Sequence, residues 1–181
     1  MKLTTERLIL RDLTLKDRDN LVEIVNDLKV SRYLAVVPYP YSLKDADWFI
    51  EKCIRDSKKR PRENYELGIE LKSNKKLMGV IGLTKVDIFD ETAGIGYWLS
   101  KKYWRQGIMT ESFSKILDFA FNELKLRRLN VSASTKNKPS NNIIKKMGFK
   151  FEGTKKEGTR TRSTGKIHDE NFYGLLKKDY K

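Results

Sequence analysis

The stretch GIGYWLSKKYWRQGIMTES, residues 94–112, has the residue types to hold a phosphorylated ligand. Strand-like residues run to Leu99, and a polar loop with Arg105, Gln106 and Gly107 leads straight into a helical pattern. The first turn of a helix leaves main-chain N–H groups without intrahelical partners, and the macrodipole adds roughly half a positive charge there. Together they make an anion seat that suits a diphosphate. Gly107 removes a Cβ where chain and ligand must approach closely, and Arg105 adds a cation. An ordinary strand–loop–helix connection would read the same way on the glycine alone.

Bulk properties narrow the chemistry. The only histidine is His168 and the only cysteine is Cys53, so no zinc-ligand spacing exists and catalysis without a metal is expected. Cys53 reads as a small buried hydrophobe, and a lone cysteine fits a reducing compartment. The net charge is +14, from 38 basic and 24 acidic residues, which predicts attraction to polyanions: phosphorylated cofactors, RNA or acidic proteins. The length, 181 residues, suits one domain spanning 1–181. The start, MKLTTERLIL, lacks a signal-peptide core, and no apolar run nears the ~18–20 residues a membrane span needs. A cytoplasmic location is expected, with neither membrane nor specific DNA as partner, as a monomer or homodimer.

These elements must position the loop. Residues 6–12 alternate as a strand. Thr14 with Asp17 and Ser42 with Asp45 mark two helix starts, followed by the apolar faces Leu21, Ile24, Val25, Leu28 and Ala46, Phe49, Ile50, Cys53. Pro38 and Pro40 make VSRYLAVVPYPYS a connector. Strands are expected at 65–71, 77–87 and 93–99, a long helix at 109–125, a strand at 127–134, and a short helix from Ser140 to a Gly148 cap. FKFEG and ENFYGLL read as the last two strands, with KKEGTRTRSTGK as a basic loop between them. The order is that of an α+β sheet protein, not a doubly wound one.

On these motifs the sequence resembles the GNAT superfamily of acetyl-coenzyme A-dependent N-acetyltransferases, in its RimJ/RimL-like branch. TERLILRDLTLKD, VSRYLAVVPYPYS, GIGYWLSKKYWRQGIMTES, NKPSNNIIKKMGFKFEGT and HDENFYGLL resemble its successive motifs, in order and over nearly the whole chain. The resemblance implies a mixed, mostly antiparallel sheet of about seven strands, helices on both faces, and a cofactor cleft between splayed central strands. It implies acetyl-CoA as co-substrate, with Trp98 and Leu99 along pantetheine. The amides of Arg105, Gln106, Gly107, Ile108, Met109 and Thr110 would cradle the pyrophosphate. Asn137 and Ser140 match an Asn-x-x-Ser near the thiol. Ser140 could reprotonate the departing thiolate or serve simply as a helix N-cap. Trp104 and Met109 depart from the family's usual loop, and Gly94 stands where a basic glutamate is frequent.

Acetyl transfer needs a neutral amine. At pH 7 about 10% of an α-amine is neutral, against about 0.04% of a lysine. Without a glutamate at 94, an α-amine is the easier acceptor, and Glu91 and Glu157 are the remaining carboxylate bases, unless they are plain surface groups. Tyr33, Tyr39 and Tyr41 could line the acceptor cleft or merely pack. The leading expectation is acetylation of a protein N-terminus, ribosomal or ribosome-associated, with the basic loop 155–166 steering toward phosphate or simply solvated. Small-molecule or polyamine acetylation, and a non-catalytic ribosome- or RNA-binding role on the same fold, are the alternatives.

Overall fold

The computed structural model describes residues 1–180. Eight strands form one sheet in the order β1-β2-β3-β4-β5-β6-β8-β7: β1 Lys2–Thr4, β2 Leu8–Asp12, β3 Tyr65–Leu71, β4 Leu77–Asp87, β5 Thr92–Leu99, β6 Arg128–Ser134, β7 Lys150–Arg160 and β8 Ile167–Leu176. Every pairing is antiparallel except β5 with β6. The helices are α1 Arg18–Val25, α2 Leu28–Ser31, α3 Leu43–Lys58, α4 Ile108–Asp118 and α5 Lys138–Lys146.

Both sheet faces are covered. α1 and α3 bury Leu21, Val25, Ala46, Ile50 and Cys53 on one face; α4 and α5 bury Phe113, Ile116, Leu117 and Ile144 on the other. Both expected capping boxes form, at Thr14/Asp17 and Ser42/Asp45. Arg11 reaches across β2 to Asp17 and Glu70 at 2.7 and 2.6 Å, so three charges that would otherwise be stranded satisfy one another. Gly79 is obligatory for the β4–β5 approach, since a Cβ there would lie 2.3 Å from the Trp98 carbonyl oxygen.

Four details differ from the sequence reading. The sheet has eight strands, not seven: β1 is too short to show a period and exists because Leu3 is buried and Thr5 N–H donates back to Leu8 O at 3.0 Å. The basic "loop" is largely strand, because β7 is an edge strand exposed on both faces and its register breaks between Lys155 and Thr159, which erases the alternation. Regular α-helix ends at Asp118 and continues as a π-helical turn, Phe119–Glu123, that keeps Phe119, Ala120 and Phe121 buried. The first helix stops at Val25, and Leu28, expected on its face, instead opens α2, which runs into the start of the connector and is capped by Asp27 accepting from Lys29 N–H at 2.8 Å. Asn26 and Tyr41 exchange hydrogen bonds at 2.7 and 2.8 Å and draw the connector's ends together into a strap.

Candidate active site

The cleft follows from strand pairing. β5 and β6 run in register only from Thr92/Arg128 to Gly94/Asn130; beyond that both strands continue without pairing to each other. Side chains alternate across the parting strand, so Tyr97 packs with the core under α4 and α5, while Trp98 packs with the core under α1 and α3. The resulting cavity, about 530 Å³, is bounded by the end of β5, the 103–110 loop, the start of α5 and the strap.

At its loop end the chain turns twice through left-handed backbone, at Arg105 (φ 61°) and Gly107 (φ 77°), and α4 begins at Ile108. Glu111 N–H is the first to close a helical bond, to Gly107 O at 3.0 Å. Among the described residues, no acceptor is found for the six successive main-chain N–H groups from Arg105 to Thr110. Alternating left- and right-handed residues turn successive N–H groups toward a common concavity, and the helix N-terminus adds its dipole. These residues, Gln106 excepted, line the cavity. The fit to a diphosphate is therefore one of main-chain donors.

A clamp holds the loop. Arg7 donates through Nε to Glu111 Oε2 at 2.7 Å and through Nη1 to Gln106 O at 3.2 Å, while its N–H donates to Glu111 Oε1 at 2.9 Å. Burial alone would raise the Glu111 carboxyl, but hydrogen bonds from Thr5 and Arg7 overcome it and hold the group below its ordinary value. The acid in the first turn of α4 is thus neutralised and does not repel an anion. Trp104 Nε1 donates to Leu99 O at 2.8 Å, tying the loop to β5.

Midway along the cleft the Tyr97 hydroxyl and Ser140 Oγ lie 2.7 Å apart. Burial pushes the Tyr97 phenol well up, so it remains an O–H at neutral pH. Ser140 does not cap α5; Asn137 does, its side chain accepting from Ser140 N–H at 3.4 Å, which frees the serine hydroxyl.

The strap closes the far side. Tyr33 OH donates to Lys136 O at 3.3 Å, Arg162 N–H to Ala35 O at 3.2 Å, and Ser163 Oγ to Ser31 O at 3.0 Å. The Tyr33 ring meets His168 edge-on at 5.5 Å. His168 is buried with neither ring nitrogen hydrogen-bonded, and burial, with Lys136 and Lys166 nearby, holds its pKa below 6.5.

One cavity thus gathers Tyr33, Trp98, Leu99, Arg105, Gly107, Ile108, Met109, Thr110, Asn137 and Ser140. Five sequence expectations fall outside it. Gln106 turns its amide back to Lys102 O at 2.8 Å. Glu91 sits exposed in the β4–β5 turn, where its carbonyl accepts from Arg127 N–H at 2.9 Å and anchors the start of β6. Glu157 is exposed on the β7 bulge, its N–H donating to Asp169 at 2.9 Å. Tyr39 is exposed on the strap, and Tyr41 is buried in the α1/α3 core with its hydroxyl on Asp45 O. A Cβ at Gly94 would lie 2.9 Å from Thr84 Oγ1. Sequence reading missed Tyr97, which strand alternation beside Trp98 could have revealed. It also missed Arg7 and Glu111, which are 104 residues apart and carry no local signal.

A cleft between parting strands that ends in an anion seat at a helix N-terminus defines a coenzyme A-dependent acyltransferase. The chain belongs to the GNAT acetyltransferase family: residues 7–150 match the acetyltransferase (GNAT) domain. It is 30% identical over 177 residues to YdaF of Bacillus subtilis (strain 168), named as a candidate ribosomal N-acetyltransferase; the match covers 97% of this chain and 94% of that one. A crystal structure described as an acetyltransferase superposes with a TM-score of 0.88 at 28% identity, covering 99% of both chains. The microcin C7 self-immunity acetyltransferase MccE, solved with acetyl-CoA and AMP, superposes at 0.80 with 25% identity over 95% of this chain and 93% of that one.

Proposed function

We propose that this acetyltransferase carries the acetyl group of acetyl-CoA directly, in a ternary complex, to the N-terminal α-amine of a protein. The observation that carries the reading is the composition of the cavity wall: among the described residues it holds five cations and neither a carboxylate nor a histidine. No side-chain base stands ready for a lysine ammonium. Nearby positive charge instead lowers the pKa of a bound ammonium, and a drop of about one unit from the α-amine value makes roughly half of it neutral at pH 7. The same charges oppose a polyamine.

In the reaction the amine nitrogen bonds to the thioester carbon, the C–S bond breaks, the nitrogen loses a proton to water and the thiolate gains one. Ser140, backed by the neutral Tyr97 phenol, is the proton donor this geometry offers to sulfur. The amides of residues 105–110 hold the pyrophosphate, and holding both substrates together supplies the orientation. The reading takes 1–181 as one acetyltransferase domain working in the cytoplasm, where acetyl-CoA meets new N-termini, and the name of YdaF supports a ribosomal protein as acceptor. No helix among the described residues is long and apolar enough to cross a membrane.

The test is acetylation of N-terminal peptides, internal-lysine peptides and polyamines, read by mass spectrometry. Activity confined to lysine side chains or polyamines overturns the proposal. A small-molecule acceptor becomes the reading if free amino compounds outrun every peptide.

A further inference from the structure

The cations of the cavity wall are unpaired. Lys29, Arg32, Arg105, Lys136 and Lys146 line it, and none forms an ion pair among the described residues. Elsewhere the described residues pair their charges readily, with fifteen such contacts. Arg105 belongs to the amide loop and suits the phosphates held there. Arg32 and Lys136 belong to the other wall, where Tyr33 bonds the Lys136 carbonyl and the strap is clasped to the β7–β8 turn.

That clasp brings more positive charge. Arg162 donates its N–H to the strap itself, and Lys166 closes the same turn. Lys136 and Lys166 both help lower the pKa of the buried His168. On the neighbouring strand Asp169 is paired with Lys156 and accepts from the Glu157 N–H, while Glu170 keeps its charge but is turned to the hydroxyls of Ser132 and Thr159. Arg32, Lys136, Arg162 and Lys166 are all exposed; the first two line the cavity and the other two sit on the turn clasped to the strap. Their charge remains for whatever enters.

We propose that the acceptor is an acidic protein N-terminus: an α-amine followed, within its next few residues, by carboxylates that settle among Arg32, Lys136, Arg162 and Lys166. This rests on the N-terminal acetyltransferase reading above and narrows its substrate. An RNA backbone would meet the same charges from outside, but Arg32 and Lys136 line the cleft through which the amine must pass, so the acceptor chain itself contacts them.

The experiment compares peptides with one common first residue and Asp/Glu, Asn/Gln or Lys at positions two to four, scored by kcat/KM. The acidic series is expected to exceed its amide isosteres by roughly tenfold, since partly exposed charge pairs are individually weak and several act together. The preference should shrink as salt rises. The double reversal Arg32→Glu/Lys136→Glu should invert it, with folding confirmed by a retained rise in Tm on adding acetyl-CoA. Equal rates across the three series, or a reversal variant that keeps the acidic preference, overturn the inference while leaving the N-terminal reading intact. Inhibition by a short single-stranded RNA with no dependence on peptide charge would make the mouth a nucleic-acid surface and also overturn it. If no peptide in any series is acetylated while polyamines or lysines are, the N-terminal reading itself has failed.

Discussion

At one end of the cleft a single loop, Arg105–Thr110, offers free N–H groups from its own main chain; at the other, Arg32 and Lys136 come from separate stretches of sequence, with Arg162 on the turn clasped to the strap. The loop is braced by Arg7, Glu111 and Trp104 through bonds of 2.7 to 3.2 Å. The strap, closed at its base by Asn26 and Tyr41 at 2.7 and 2.8 Å, is clasped across the cleft by Tyr33, Ser163 and one main-chain bond to Ala35, at 3.0 to 3.3 Å. A phosphate donor set made of backbone tolerates side-chain change, whereas a mouth made of exposed side chains changes its preference with each substitution. Cofactor binding should thus resist mutation where acceptor choice does not.

The sharpest challenge to that contrast is Gly107→Glu. It puts a side chain on a left-handed residue whose Cβ would sit 3.3 Å from Arg7 Nη2 and adds a negative charge to the seat. It should abolish the acetyl-CoA-induced rise in Tm measured by scanning fluorimetry; an undiminished rise would show that the amides do not hold the cofactor.

Next come the central hydroxyls. Ser140→Ala and Tyr97→Phe should each lower kcat by roughly tenfold to a hundredfold with little change in KM, and the double variant should be no worse than the poorer single, because the two form one hydrogen-bonded unit. Strict additivity in a double-mutant cycle would separate their roles.

A smaller effect is expected from Arg7→Ala, which strips Glu111 of its charged partner. Stability should fall by about 1–3 kcal/mol in urea denaturation, and KM for acetyl-CoA should rise while KM for the acceptor holds. A change in acceptor KM instead would erase the distinction between the two ends.

The smallest is a pH effect at the mouth. His168 binds a proton less readily folded than unfolded, so its neutral form supports the fold above pH 6.5, and stability declines as pH falls through 6.5 toward its lower folded value. His168→Phe should flatten that decline in Tm between pH 7 and 5. An unchanged slope would show that His168 does not set it; Glu111 adds its own decline only below pH 4.5, outside that window.

Much of the architecture was legible. β3 lies where alternation puts it and β4 where its hairpin partner was expected, and the caps at Thr14 and Ser42 form because Ser/Thr followed by an acid three residues on is a complete local unit. The start of β7 was legible in FKFEG, but its run through the basic stretch to Arg160 was hidden because an edge strand with both faces in water needs no apolar alternation. The carboxylates Glu91 and Glu157 were chosen for proximity in sequence to the strand and the basic stretch, and the sheet places them at the β4–β5 turn and on an outer edge.

The sequence alone determined the anion seat, since a strand, a loop with Gly107 and a helix start are consecutive and their free N–H groups follow from backbone geometry. Only the tertiary structure decided what faces that seat across the cleft. Whether Arg7 meets Glu111, Tyr97 meets Ser140, or the strap meets the β7–β8 turn depends on how one sheet brings distant residues together, and side chains that meet through space leave no period along the chain.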